Sequence, residues 1–147
     1  MVDATPRLAL PLLAAGQAQK EIFHNEALVL LDGLVQPVAE TMGEAAPPPA
    51  PEPGQCFLVG ASPSGAWAGQ AEALAIHGAG GWRFAAPREG MMVWVAENRG
   101  WARYFDGAWS LAPDIAEPAG GAVVDSEART AIDAILTVLR GHGFLIA

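Results

Sequence analysis

Between residues 17 and 42 the apolar side chains recur three or four positions apart. Ile22, Phe23, Ala27, Leu30, Leu31, Leu34, Val35 and Val38 share one stripe, and Asn25 and Asp32 fall on the other side. That period predicts an amphipathic helix. Gly33 and Pro37 weaken its later turns, so the helix is expected to kink or end near residue 36. From residue 55 to 112 the pattern changes to short apolar runs divided by turn residues. QCFLVG reads as one strand, ALAIHGAGGWRFAA as two and MMVWVAENRGWARYFDGAWSLA as three. Asn98-Arg99-Gly100 and Asp106-Gly107 supply the turns. Asp-Gly between aromatic runs is a strong hairpin signal, because a type I′ turn needs positive φ at both central residues. Near the C-terminus the helical period returns, with Ala128, Ile132, Ile135, Leu136 and Leu139 on one face. Asp125 or Ser126 can cap this helix, Glu127 suits its first turn, and Arg140-Gly141 is a stop signal.

Helix and strands are joined by EAAPPPAPEPG, where five prolines in eleven residues favour an extended, polyproline-like spacer. The expected fold class is therefore α+β: an N-terminal helix, a proline-rich spacer, a small antiparallel Trp-rich β module and a C-terminal helix. The corresponding divisions are 1–45, a helical oligomerisation and attachment segment; 46–54, the linker; 55–113, the β module; and 114–147, a linker and helix. An isolated helix with such a stripe must bury it against its own sheet or against another copy. Ile22, Phe23, Leu30 and Leu34 are the candidate interface. The tail Phe144-Leu145-Ile146 is apolar and is expected to dock on something.

Charge and composition narrow the function. The chain has 147 residues and a net charge of −8, which argues against general nucleic-acid binding, since phosphate affinity needs a basic face. A single cysteine, Cys56, excludes an intramolecular disulfide and any cysteine-based zinc site. It is read as a small buried hydrophobe in QCFLVG, against the alternative of a reactive thiol. LALPLLAAGQA looks like the apolar core of a signal peptide, but Asp3, the interrupting Pro11 and its shortness argue against that and for synthesis and folding in the cytoplasm. No stretch approaches the roughly 20 apolar residues of a membrane span, so no membrane insertion is expected.

The search for catalytic chemistry is mostly empty. His24, His77 and His142 lack metal-ligand spacing, and no phosphate loop, dinucleotide-binding glycine pattern or nucleophile elbow is present. Glu89, Glu97 and Asp106 are a conceivable carboxylate set for glycoside hydrolysis, but scattered acids beside turns are usually solvent-facing. The chain is expected not to be an enzyme, and to need no metal and no cofactor.

The aromatic residues are the feature with an edge. RGWARYFDGAW packs two Trp, a Tyr, a Phe and two Arg into eleven positions. Residues 82–109 hold four Arg against three acids, a local positive excess in an acidic chain. Trp and Tyr near turns stack on sugar rings while Arg binds hydroxyls. Trp101, Arg103, Tyr104 and Trp109 are thus candidate carbohydrate-binding residues. Equally, a sheet this small needs its Trp residues for a core, since each buries up to about 250 Å². Strand alternation puts Trp101, Arg103 and Phe105 on one side, with Ala102 and Tyr104 on the other. Trp94 and Phe105 are assigned to the core, and Tyr104 and Trp109 to the surface. A Gly-x-Trp unit recurs at Gly65-Ala66-Trp67, Gly80-Gly81-Trp82 and Gly107-Ala108-Trp109.

Several runs carry a resemblance: Leu10-Pro11-Leu12-Leu13, Gly16-Gln17-Ala18-Gln19-Lys20-Glu21, His24-Asn25-Glu26-Ala27-Leu28 and Leu31-Asp32. Gly65-Ala66-Trp67-Ala68-Gly69, Trp82-Arg83-Phe84, Ala86-Pro87-Arg88-Glu89-Gly90 and the closing VVDSEARTAIDAILTVLRGHG add to it. Together they resemble an uncharacterised domain family encoded in alphaproteobacterial prophages and gene transfer agents, the phage-like particles that package host DNA. Members occur in spike and fibre proteins that project from the virion. The resemblance implies a structural virion component, a head spike or tail fibre, that aids adsorption to cell-surface polysaccharide. The alternative is an adaptor joining capsid or tail to another spike protein. The implied partners are other virion proteins and further copies of the chain, a trimer by preference and a pentamer at a capsid vertex. The implied location is the virion.

Overall fold

The computed structural model describes residues 3–16 and 18–146, so Gln17 of the resemblance lies outside the described residues. In chain order its elements are α1 (Lys20–Leu34), β1 (Val38–Ala39), β2 (Met42–Glu44), β3 (Cys56–Val59), β4 (Leu74–Gly78), β5 (Gly81–Ala85), β6 (Met92–Val95), β7 (Gly100–Phe105), β8 (Ala108–Leu111) and α2 (Ser126–Gly141). A single 3₁₀ turn, Gly65–Trp67, lies between β3 and β4. The fold is α+β, with two four-stranded sheets ordered β1-β6-β7-β8 and β2-β3-β4-β5.

The hairpins β3-β4, β4-β5, β6-β7 and β7-β8 are antiparallel, as turn chemistry predicts. Asp106 and Gly107 both have positive φ, 51° and 81°, which the β7-β8 turn requires. The two sheets share one core. Ala39, Val93, Val95, Ala102 and Trp109 face Cys56, Leu58, Leu74 and Ile76 across it, and Leu30 of α1 packs at its margin. A second, smaller core covers the opposite face of the β3-β4-β5 sheet. There Phe57, Val59, Trp67 and Ala75 pack with Trp82 and Phe84. Trp67 and Trp82 meet edge to face, their rings 5.2 Å apart.

Residues 38–44 depart most from the sequence expectation. The helical stripe ends at Leu34, and the chain then supplies a strand to each sheet. Val38 and Ala39 pair parallel with Trp94 and Val95. Met42 and Glu44 pair parallel with β3. A division at residue 45 would thus cut both sheets. The proline-rich run does not hold helix and sheets apart; it is the crossover that returns the chain from β2 to lie beside it as β3. Its end is tied down by the Gly54 N–H to the His77 carbonyl at 2.7 Å. Gly60 sits where a Cβ would lie 2.5 Å from the Gly43 carbonyl oxygen, so only glycine permits this approach.

Helix α1 is fixed on two sides. Gly33, a weak point for helix formation, allows the helix to touch β4, because a Cβ there would overlap the Ile76 side chain. Glu26 forms an ion pair with Arg83 of β5. On the other side lies the segment that resembles a signal core. Asp32 is 2% exposed. Its carboxylate accepts from Thr5 Oγ1 at 2.7 Å and from the Arg7 and Leu8 N–H groups at 3.0 and 2.7 Å. Asn25 pairs with the Leu13 backbone in both directions, at 2.9 and 3.0 Å. Asn25 therefore ties α1 to the N-terminal segment of its own chain.

Candidate functional site

In the β1-β6-β7-β8 sheet, side chains alternate strictly between the shared core and an outer face. Val93, Val95, Ala102 and Trp109 point inward. Met92, Trp94, Trp101, Arg103, Phe105 and Ser110 therefore lie on the outer face. The register aligns them in rows: Trp94 opposite Trp101, then Met92, Arg103 and Ser110, then Phe105 opposite Ala108. The Trp94 and Trp101 rings meet edge to face, 5.3 Å between centroids. The Arg103 guanidinium lies over the Phe105 ring at 4.8 Å.

The four candidate carbohydrate-binding residues thus divide between two faces. Trp101 and Arg103 share the outer face. Trp109 is 9% exposed and belongs to the shared core, where its Nε1–H donates to the Glu72 carbonyl at 2.7 Å. Tyr104 packs beside it, 5.3 Å ring to ring, across the β7-β8 pair. The surface assignment of Tyr104 and Trp109 is corrected, and so is the core assignment of Trp94 and Phe105, since Phe105 is 59% exposed. Trp101 and Trp109 do not meet across the hairpin, because Trp109 pairs with Tyr104, which lies an odd number of residues from Trp101 along β7 and so on the opposite side. The Gly-x-Trp units mark the packed tryptophans: Trp67 and Trp82 fill the second core and Trp109 the first.

The C-terminal tail completes the outer face. The Trp101 N–H donates to the Gly143 carbonyl at 2.9 Å, and the Ile146 N–H to the Ala112 carbonyl at 3.1 Å. Leu145 is buried and Phe144 stays half exposed. Gly143, with φ +71°, lies so close under Trp94 that a Cβ would overlap the indole. The tail leaves a hollow on either side of the Trp pair. One, of about 520 Å³, is lined by Trp101, Arg103, Met92, Ser110, Pro113 and Phe144, among others. The other, of about 500 Å³, is lined by Trp94, Asn98, Arg99, Arg140, Gly141 and Leu145. Among the described residues neither Arg99 nor Arg103 forms an ion pair. Arg140 is held by Asp114 and Glu117, and this hydrogen bonding keeps the Asp114 carboxyl below its ordinary range. Phe144 belongs to this site only through the docked tail, whereas Arg99 is placed there by the β6-β7 turn. The out-of-phase position of Trp94 between Val93 and Val95 was the sequence signal for its outward face.

The candidate interface residues of α1 also divide. Leu30 packs against the shared core. Phe23 is 80% exposed, and Ile22 and Leu34 are exposed too. With Leu31 and Val35 they leave an apolar stripe on the solvent side. Glu89, Glu97 and Asp106 are exposed and do not converge on a cleft; the Glu89 carboxylate accepts from the Asp106 N–H at 3.4 Å. Burial pushes the Cys56 thiol up to about 11, so it behaves as a packed apolar group. Among the described residues no helix is long and apolar enough to cross a membrane.

Residues 24–110, more than half of the chain, match DUF2793, a family described as a protein of unknown function. No curated protein matches the chain.

Proposed function

The chain belongs to the DUF2793 family, and on that premise we propose that it is a structural, non-catalytic component of a phage-like particle. In this proposal a head spike or tail fibre engages cell-surface polysaccharide through the outer face of the β1-β6-β7-β8 sheet. One observation supports the polysaccharide part. Trp94, Trp101 and Arg103 share a face that the shared core does not use, beside hollows that remain open. An edge-to-face indole pair next to a guanidinium suits sugar rings, whose C–H faces meet π surfaces while hydroxyls take hydrogen bonds. The particle location rests on the resemblance to prophage and gene transfer agent proteins. Immunogold labelling of purified particles tests it, and label confined to the cell lysate would refute it. A glycan array probed with the purified chain tests the sugar part. Binding lost in Trp101→Ala at unchanged melting temperature supports it, and an array without any binding sinks it.

The second proposal is an adaptor that joins capsid or tail to another spike protein. The exposed stripe of α1 favours it, since Ile22, Phe23, Leu31, Leu34 and Val35 form more apolar surface than isolated exposed residues would. Phe23→Asp would then remove the chain from assembled particles while leaving glycan binding intact.

A further inference from the structure

We propose that the hollow between Trp101, Arg103 and Phe144 takes a carboxylate-bearing residue of an acidic polysaccharide. The inference rests on the polysaccharide-binding proposal above and narrows its ligand class.

The first observation is the state of Arg103. Its guanidinium carbon lies 4.8 Å from the centre of the Phe105 ring, and the side chain is exposed, so its N–H groups remain open to solvent. Those donors form a planar fork that matches a carboxylate bidentately. The chain has sixteen acidic residues to eight basic ones, yet among the described residues none of the acids pairs with Arg103. A guanidinium left without a carboxylate in so acidic a chain is available for one from outside.

The second observation is the segregation of charge. Among the described residues the two hollows are lined by Arg99, Arg103 and Arg140, and by no carboxylate. Arg140 is already engaged by Asp114 and Glu117. Arg103 and Arg99 are left as the open cations, one on each side of the Trp pair. The rest of a chain of net charge −8 repels an anionic polymer, which favours its approach to this face.

The third observation is the arrangement of the rows. Arg103 follows Trp101 by two residues on the same face, a separation of roughly 7 Å. A sugar ring stacked on Trp101 thus places a ring carboxylate within reach of Arg103. Ser110, opposite Arg103 in the register, adds a hydroxyl to the same row. Phe144 also lines this hollow. Single-stranded nucleic acid also combines stacking with negative charge. Its binders, however, track the backbone with a continuous positive groove, and here each hollow has one open guanidinium.

The test titrates the full chain, by tryptophan fluorescence, with uronate and sialate oligosaccharides, each beside its carboxyl-reduced form, and with an oligothymidylate. The expected result is binding of at least one acidic oligosaccharide, at least tenfold weaker for its reduced form, and weakened by salt. Arg103→Gln should lose at least tenfold toward the acidic form, lose clearly less toward the reduced form, and melt at the parent temperature. Equal binding of acidic and reduced forms would overturn this inference and leave the polysaccharide proposal standing. Failure with all sugars would overturn both, as would binding of the oligothymidylate alone.

Discussion

Replacing Trp109 by Ala separates the packed tryptophans from the presented ones. The side chain is 9% exposed, lies in the core shared by the two sheets, and makes a 2.7 Å hydrogen bond to the Glu72 carbonyl. Removing it opens a cavity between the sheets and orphans that carbonyl. Large-to-small aromatic substitutions in cores cost about 3–5 kcal/mol, and an unpaired buried acceptor adds about 1 kcal/mol. A net loss of about 4 kcal/mol is a large part of the stability of a small domain, roughly 5–15 kcal/mol. At roughly 2–5 °C per kcal/mol for a chain of this size, the melting temperature should fall by about 8–20 °C. Trp109→Phe keeps most of the packing and loses the N–H, so it should cost about 1–2 kcal/mol. Trp101→Ala removes a partly exposed ring from the outer face and should cost no more than about 1–2 kcal/mol. Urea and thermal melts on the three variants measure this. A Trp109→Ala variant within about 1 kcal/mol of the parent, or a Trp101→Ala variant equally damaged, would refute the division of faces.

Asp32→Ala should destabilise by about 3 kcal/mol, because Thr5 Oγ1 and two backbone N–H groups lose their acceptor in a buried site; proteolysis of residues 3–13 in the otherwise native protein should accelerate. Gly143→Ala should displace either Trp94 or the tail, read as a changed near-UV circular dichroism signal with α2 helicity retained; an unchanged signal would count against the docked tail. Cys56 ionises near 8.5 when unfolded and only near 11 when folded, so its stabilising contribution is complete below pH about 8.5 and is lost as pH rises toward 11. Native protein at pH 8 should therefore resist iodoacetamide until urea unfolds it, whereas rapid native labelling would contradict the burial. The exposed stripe on α1 should drive self-association, with a trimer expected in light scattering at micromolar concentration and a shift toward single chains in Phe23→Asp; a parent protein that scatters as one chain would refute it.

Local patterns determined much of this protein. Periodicity placed both helices and the six longer strands, and the Asp106-Gly107 turn followed from its need for positive φ. Alternation correctly divided β7 into two sets, because the period of a strand is a local property of the backbone. It could not say which set faces the core, and Tyr104, Phe105 and Trp109 were placed on the wrong sides for that reason. The choice depends on which face meets the second sheet, a contact between residues far apart in sequence. The short strands β1 and β2 were equally hidden. Strands of two or three residues have no period to detect, and their hydrogen bonds go to β6 and β3 across the proline-rich crossover. Several residues that carry the family resemblance proved to be joints: Asn25 and Asp32 to the N-terminal segment, Glu26 to Arg83, and Trp67 to Trp82. Each joint links a helix or turn to a distant segment, so its residue types were legible in the chain while its partner was decided only by the tertiary fold. The candidate site follows the same rule. Trp101, Arg103 and Arg99 announced themselves in one short run, but Phe144 joined them only because the C-terminal tail docks beside β7, a long-range packing event that no local pattern records.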